Sequence, residues 1–89
     1  MSLYPAPKST AEQIQIAAQA VENRTPDLAI QILLPIIQWK PSAAALFLLA
    51  SARRMRGEFA EAEALLRQSL TLDPKHLQAH VALGQLLYL

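Results

Sequence analysis

Cysteine is absent from this 89-residue sequence, which excludes disulfides and thiolate metal sites. Glycine occurs only twice, and 53% of the residues are hydrophobic with an excess of Ala and Leu, a balance that favours helix over strand. Neither sign of charge dominates. The formal net charge is +1, so there is no global electrostatic case for nucleic acid or an anionic membrane as partner. No run of about twenty uncharged apolar residues occurs, and residues 43–52 are too short to span a bilayer. The opening MSLYPAPKST lacks the apolar core of a signal peptide. A soluble cytoplasmic protein is therefore expected, although a missing signal also fits a piece cut from a longer chain. The length suits one small domain with a modest core.

What the chain does have is helical periodicity, clearest from Ala43 to Pro74. Leu46, Leu49 and Ala50 form one apolar stripe; Phe59, Ala62, Leu66 and Leu70 form a second, with Glu61, Glu63, Arg67 and Gln68 turned away. Gly57 lies between them, where a left-handed C-terminal cap would end the first helix. Asp73-Pro74 closes the second, because proline disfavours helical backbone angles in the residue before it.

This hairpin resembles one repeat of the tetratricopeptide family. That pattern, over roughly 34 residues, sets a large apolar residue, an apolar-small pair, a turn glycine, Ala and a large apolar residue in the second helix, and a final Pro. Leu46, Leu49-Ala50, Gly57, Ala62, Leu66 and Pro74 occupy those places, and Ser69 suits the small residue near the end of the second helix. Arg53 departs from the pattern, standing where an aromatic usually follows the apolar-small pair.

Read in order, residues 1–9 carry Pro5 and Pro7 and are expected to be a disordered lead-in. Ser9 and Glu12 form a capping-box signature ahead of a first helix with Ile14, Ala17, Ala18 and Val21 inward. Thr25-Pro26-Asp27 offers a capping hydroxyl, a proline at the first helical position and an acid at the positive end of the dipole. The second helix pairs Leu28/Ala29, Ile32/Leu33 and Ile36/Ile37 for burial. Pro35 inside it removes the bond to the Gln31 carbonyl, so a kink, an opened turn or a break into two pieces is expected. Trp39 is expected to be buried between the two repeats, the alternatives being that it covers the gap opened by Pro35 or marks a contact surface.

Ile16-Ala17, Ala29, Leu33 and Pro41 recur as Leu49-Ala50, Ala62, Leu66 and Pro74, all at an offset of 33. Residues 10–42 therefore read as a first, degenerate repeat, with Arg24-Thr25 where the turn glycine would fall. Residues 43–76 are the second repeat. Leu83-Gly84 matches Leu49-Ala50 at an offset of 34, so residues 77–89 read as the first helix of a third repeat, with Leu87 in the place of Arg53. The fold class is all-α: a right-handed stack of antiparallel helix hairpins, an α-solenoid of five helices near 10–23, 26–39, 43–56, 58–71 and 76–88.

The resemblance implies a concave groove lined by the first helices of successive hairpins, which takes an extended peptide or a partner helix. Carried onto this chain, the groove candidates are Ala44, Phe47, Leu48, Ser51, Arg54 and Met55, then Gln78, Val81 and Gln85, with Ala11, Ile14, Gln15 and Ala18 from the first helix. A subgroup of the family grips a C-terminal carboxylate with Asn and Lys/Arg side chains; the corresponding places here are apolar or small, which disfavours that mode. Arg53, Arg54 and Arg56 could pair the anionic groups of a partner, or offset the helix dipole while pairing Glu58 and Glu61.

His76 and His80 are four apart, but no third ligand sits at matching spacing, which favours core or cap roles over a metal. Glu58, Glu61 and Glu63 lie on an outer face and lack a neighbouring nucleophile. No phosphate loop, metal motif or catalytic constellation is visible, so no enzyme and no cofactor is expected. The expected function is a protein-interaction module without nucleic-acid or membrane partners. Two alternatives remain: a structural N-terminal segment of a larger protein, or a homodimer formed through Leu83, Leu86, Leu87 and Leu89, centred on Leu86 and Leu89.

Overall fold

The computed structural model describes residues 9–88, and within them five helices follow one another: α1 (Thr10–Glu22), α2 (Pro26–Trp39), α3 (Ala43–Met55), α4 (Phe59–Leu72) and α5 (Leu77–Leu87). No strand occurs among the described residues. No described helix is long and apolar enough to cross a membrane. The expected lead-in lies outside the described residues except for Ser9, as does Leu89.

The three hairpin starts are capped alike. Ser9, Ser42 and His76 stand at offsets of 33 and 34 from one another, and each accepts a hydrogen bond from the backbone three residues on. The acceptors are Ser9 Oγ (3.2 Å from Glu12 N), Ser42 Oγ (3.2 Å from Ala45 N) and His76 Nδ1 (3.1 Å from Ala79 N). Each satisfies a donor that the first helical turn leaves free. A histidine thus does at the third start what serine does at the first two.

The turns inside the two complete hairpins also repeat. Arg24 N donates to Val21 O (3.1 Å) and Thr25 N to Ala20 O (2.9 Å); 33 residues on, Gly57 N donates to Arg54 O (2.9 Å) and Glu58 N to Arg53 O (3.0 Å). This is the paired bonding of a Schellman C-cap, which needs a left-handed residue at its centre. Gly57 supplies it at φ +79°, and Arg24 adopts it at φ +61° despite its side chain. Thr25 is therefore not the hydroxyl cap expected of it. Its Oγ1 donates back to Ala20 O at 2.9 Å, and α2 begins on Pro26 without a side-chain cap.

Helices adjacent in sequence pack on one another, and connections of three or four residues make each pair antiparallel. α1 also touches α3, which turns the row of pairs into a stack of 52 × 25 × 17 Å. Two clusters form the core. Ala17, Ala20, Ala29, Leu33, Leu49 and their neighbours join α1, α2 and α3; Ala50, Ala62, Leu66 and Ala79 join α3, α4 and α5. The crossing points are alanines: Ala29 and Ala62, equivalent at offset 33, are both fully buried. Small residues there let helix axes approach closely. Ser69, opposite Ile36 in the repeat, is also fully buried, and its hydroxyl donates to Ala43 O at 2.8 Å, tying the end of α4 to the start of α3.

Several expected positions differ. α2 runs through Pro35 as one helix. Pro35 and Gln31 are both on the exposed side, so the carbonyl that loses its partner faces water, and no break is required. Trp39 is 76% exposed rather than buried, because the α2 face that packs inward runs through Ala29, Leu33 and Ile36, and Trp39 lies on its flank. Phe59 and Leu28, both near helix starts, are about half exposed, and Ile30 takes a core place instead. Ile16 is more exposed than its repeat partner Leu49, since α1 has helices only on its α2 and α3 sides among the described residues.

Candidate binding groove

On α3 the buried set is Ala45, Leu46, Leu49, Ala50 and Ala52. Phe47, Ser51 and Arg54, with Ala44, Leu48 and Met55 beside them, lie on the opposite side of the helix, at spacings of three, four and seven. That side faces a groove bordered by α1 and α5. Between α1 and α3, Ala18, Val21 and Glu22 stand across from Ala44, Phe47, Leu48 and Ser51 over a cleft of about 330 Å³. Between α3 and α5, Phe47, Ser51 and Arg54 face Leu77, Gln78, Val81, Ala82 and Gln85 over a second cleft of similar volume. A larger cleft, of about 840 Å³, opens at the hairpin-turn end between Val21, Glu22 and Arg24 on one side and Ser51, Arg54, Met55 and Phe59 on the other. Ser51 borders all three, so they form one continuous groove.

All nine groove residues named from α3 and α5 border these clefts: Ala44, Phe47, Leu48, Ser51, Arg54, Met55, Gln78, Val81 and Gln85. From α1 it is Ala18, Val21 and Glu22 that do so, whereas Ala11, Ile14 and Gln15 do not line these clefts, and Ile14 packs on the core. The periodicity of α1 alone did not reveal Val21 as a groove residue, because that position serves both the core and the rim. Arg24 enters from the turn, where it is the left-handed residue of the cap.

The arginine cluster divides by role. Arg53 Nη1 lies 3.2 Å from Glu58 Oε1, and Arg56 reaches both Glu58 (Nε to Oε1, 3.1 Å) and Asp27 (Nη1 to Oδ1, 2.6 Å). These two arginines clip the end of α3 to the starts of α4 and α2. Asp27 takes the part expected of Glu61, which makes no ion pair among the described residues. Arg54 points the other way. Its guanidinium donates to Gln85 Oε1 at 3.3 Å, and no described carboxylate lies within ion-pair distance. Arg24 is likewise without an ion pair among the described residues, so two guanidinium groups share the large cleft with the single carboxylate of Glu22. Phe47 is held from behind by the His76 ring, with centroids 5.5 Å apart.

Beyond the groove, His80 Nε2 sits 2.6 Å from Pro74 O, and no group of three His, Cys, Asp or Glu residues able to hold a metal ion occurs among the described residues. Glu63 and Arg67 form an exposed i,i+4 pair at 3.6 Å. No described buried side-chain nitrogen or oxygen lacks a hydrogen-bond partner. The residues expected to drive self-association are also rearranged. Leu83 and Leu86 pack on the Ala50–Ala62–Leu66–Ala79 cluster, because α4 covers that side of α5. Leu87 is about half exposed, and Leu89 lies outside the described residues.

The family model for the tetratricopeptide repeat matches residues 43–86, a span that takes in α3, α4 and α5 up to its penultimate residue. The comparisons with curated proteins and with solved structures gave no match.

Proposed function

Because residues 43–86 place the chain in the tetratricopeptide repeat family, whose repeats mediate protein–protein interaction, we propose that it is a non-catalytic module that holds a peptide or a partner helix in the groove of α1, α3 and α5. The observation that carries this reading is the division of α3 into two sides. One side is filled by Leu46, Leu49 and Ala50; the other presents Phe47, Ser51 and Arg54 to a groove that no described side chain fills. Phe47 supplies an apolar floor, supported by the His76 ring and by the Ala50–Ala62–Leu66–Ala79 cluster on which it packs. Arg54 and Arg24 supply donors for an acidic side chain or a carboxylate of the bound segment. The groove-bound segment thus combines an apolar anchor with a nearby negative charge, an arrangement in which burial gives affinity and the arginines set register.

Selection from a randomised peptide library, followed by titration of the selected peptides, tests this. Arg54→Glu should weaken binding about tenfold or more, which corresponds to loss of one charge-assisted contact. Gln68→Glu, on the opposite surface, should leave it unchanged. Selected peptides that ignore Arg54→Glu and Phe47→Ala would place the binding surface elsewhere.

A further inference from the structure

Arg24 and Gly57 hold the same place in the two hairpin turns, 33 residues apart. Gly57 takes its φ of +79° freely, whereas Arg24 takes φ +61° with a Cβ in the way. Backbone strain of this kind gathers at ligand clamps and switches. Glycine would serve the turn better, so what Arg24 adds is its guanidinium. No described carboxylate lies within ion-pair distance of that group. Arg24 borders the cleft of about 840 Å³ together with Arg54, which donates to Gln85 and likewise has no described carboxylate in reach. The neighbouring Arg53 and Arg56, by contrast, are both paired, through Glu58 and Asp27. Two arginines against Glu22 leave this cleft with positive charge in excess. Strain and unmatched charge thus coincide at one end of the groove.

The apolar floor lies at a fixed distance from that charge. Phe47 and Arg54 are seven residues apart on α3, hence on one side of the helix and about 10.5 Å apart along its axis. An extended chain advances about 3.3 Å per residue, so roughly three residues cover that distance, whereas a helix lying along α3 needs about seven. The two clefts beside Phe47 hold about 330 Å³ each. A helix with its side chains, about 10–12 Å across, displaces roughly 400–600 Å³ per turn, so the space suits an extended segment better. Ser51, midway between the two ends, has its hydroxyl proton committed to Phe47 O at 3.1 Å. The charged donors therefore stand at one end of the path and the apolar floor at the other.

We propose that the groove reads an extended segment in which a large apolar residue on Phe47 is followed, about three residues along, by an anionic side chain held between Arg24 and Arg54. This deepens the groove reading and rests on it. Arg24 is the residue that determines specificity: the first turn gives up the relaxed backbone of Gly57 and gains a second guanidinium for the ligand. A carboxylate and a phosphoryl group share the required chemistry, a negative charge spread over acceptor oxygens in reach of two planar donor forks.

Fluorescence titration of dye-labelled peptides blocked at both ends, with protein up to about 1 mM, tests the proposal. Each peptide carries one Leu anchor and, about two to eight residues to either side of it, Glu, phosphoserine or Gln. Glu or phosphoserine at about three residues should bind at least about threefold more tightly than Gln there, and the larger gain tells a carboxylate from a phosphoryl group. Arg24→Gly should abolish this preference while raising the melting midpoint, and Arg24→Asn should abolish it as well. Arg67→Gln, on the exposed side of α4, should leave the preference intact. An optimum near seven residues indicates a bound helix and overturns the proposal. Equal affinity of the Glu, phosphoserine and Gln peptides overturns it too, as does a preference that survives Arg24→Gly, or a lower midpoint for that variant. In each of these cases the groove reading stands if Phe47→Ala still weakens binding. Peptides indifferent to Phe47→Ala, or no binding at all, overturn both.

Discussion

Ala62→Leu examines the packing on which the stack depends. Ala62 is fully buried in the cluster with Ala50, Leu66 and Ala79, at the point where α4 crosses α3. Three added carbons have no space there, so the helices must separate or the new side chain must leave its preferred rotamer. Overpacking of this kind costs about 1–3 kcal/mol. For a domain of this size each kcal/mol lowers the melting temperature by about 4–8 °C, so a drop of roughly 5–20 °C is expected in a thermal scan followed by circular dichroism. Ala29→Leu, at the equivalent crossing of α2, should produce a loss of the same order, since Ala29 is buried to the same degree. Ala64→Leu, on the exposed side of α4, serves as the control and should shift the midpoint by no more than a degree or two. If Ala62→Leu melts with the parent, the helices do not cross at that residue, and the reasoning from the repeat fails.

Arg24→Gly should stabilise the first hairpin by about 0.5–1 kcal/mol, because it relieves a left-handed backbone that Gly57 adopts freely at the equivalent turn; a lower melting temperature would contradict this. Ser69→Ala should destabilise by about 1–2 kcal/mol, since the Ala43 carbonyl loses its buried donor, and an unchanged denaturation midpoint would show that the bond contributes nothing. His76→Ala should cost about 0.5–2 kcal/mol through the lost cap of α5, with His76→Ser restoring most of it; equal stability of the Ala and Ser variants would refute the capping role.

The parts of the fold that the sequence made legible are those governed by local chemistry. Ser9 and Ser42 announce helix starts because a short hydroxyl side chain suits the cap, and Gly57 announces a turn because it alone takes a positive φ without cost. The offset of 33 then carries Gly57's conformation onto Arg24 and Ala62's burial onto Ala29. Thr25 departs from the cap its sequence suggests because its hydroxyl has two local options, the start of α2 or the Ala20 carbonyl, and the Schellman turn brings the second within reach. Trp39 and Phe59 show a different limit. Periodicity gives a residue's side of the helix, but at a helix end the neighbour needed to cover that side is set by tertiary packing. The same holds for α5, where α4 takes Leu83 and Leu86 and leaves Leu77, Val81 and Tyr88 outward.

The groove was legible on α3, where Phe47, Ser51 and Arg54 keep strict helical spacing, and on α5 at Val81 and Gln85. It was not legible at Arg24, a turn residue that has no helical face to predict from. Division of the arginine cluster likewise needed coordinates, since Asp27 lies 29 residues away in sequence from Arg56.

Residue-resolved titration by amide chemical-shift mapping, with the tightest peptide from library selection, tests the central claim most directly. Binding in the groove predicts shifts concentrated at Ala18–Arg24, along the Ala44–Met55 stretch and at Leu77–Gln85, with α2 and the outer side of α4 largely silent. Shifts confined to α2 and α4, centred on Trp39 or Gln68, would contradict it.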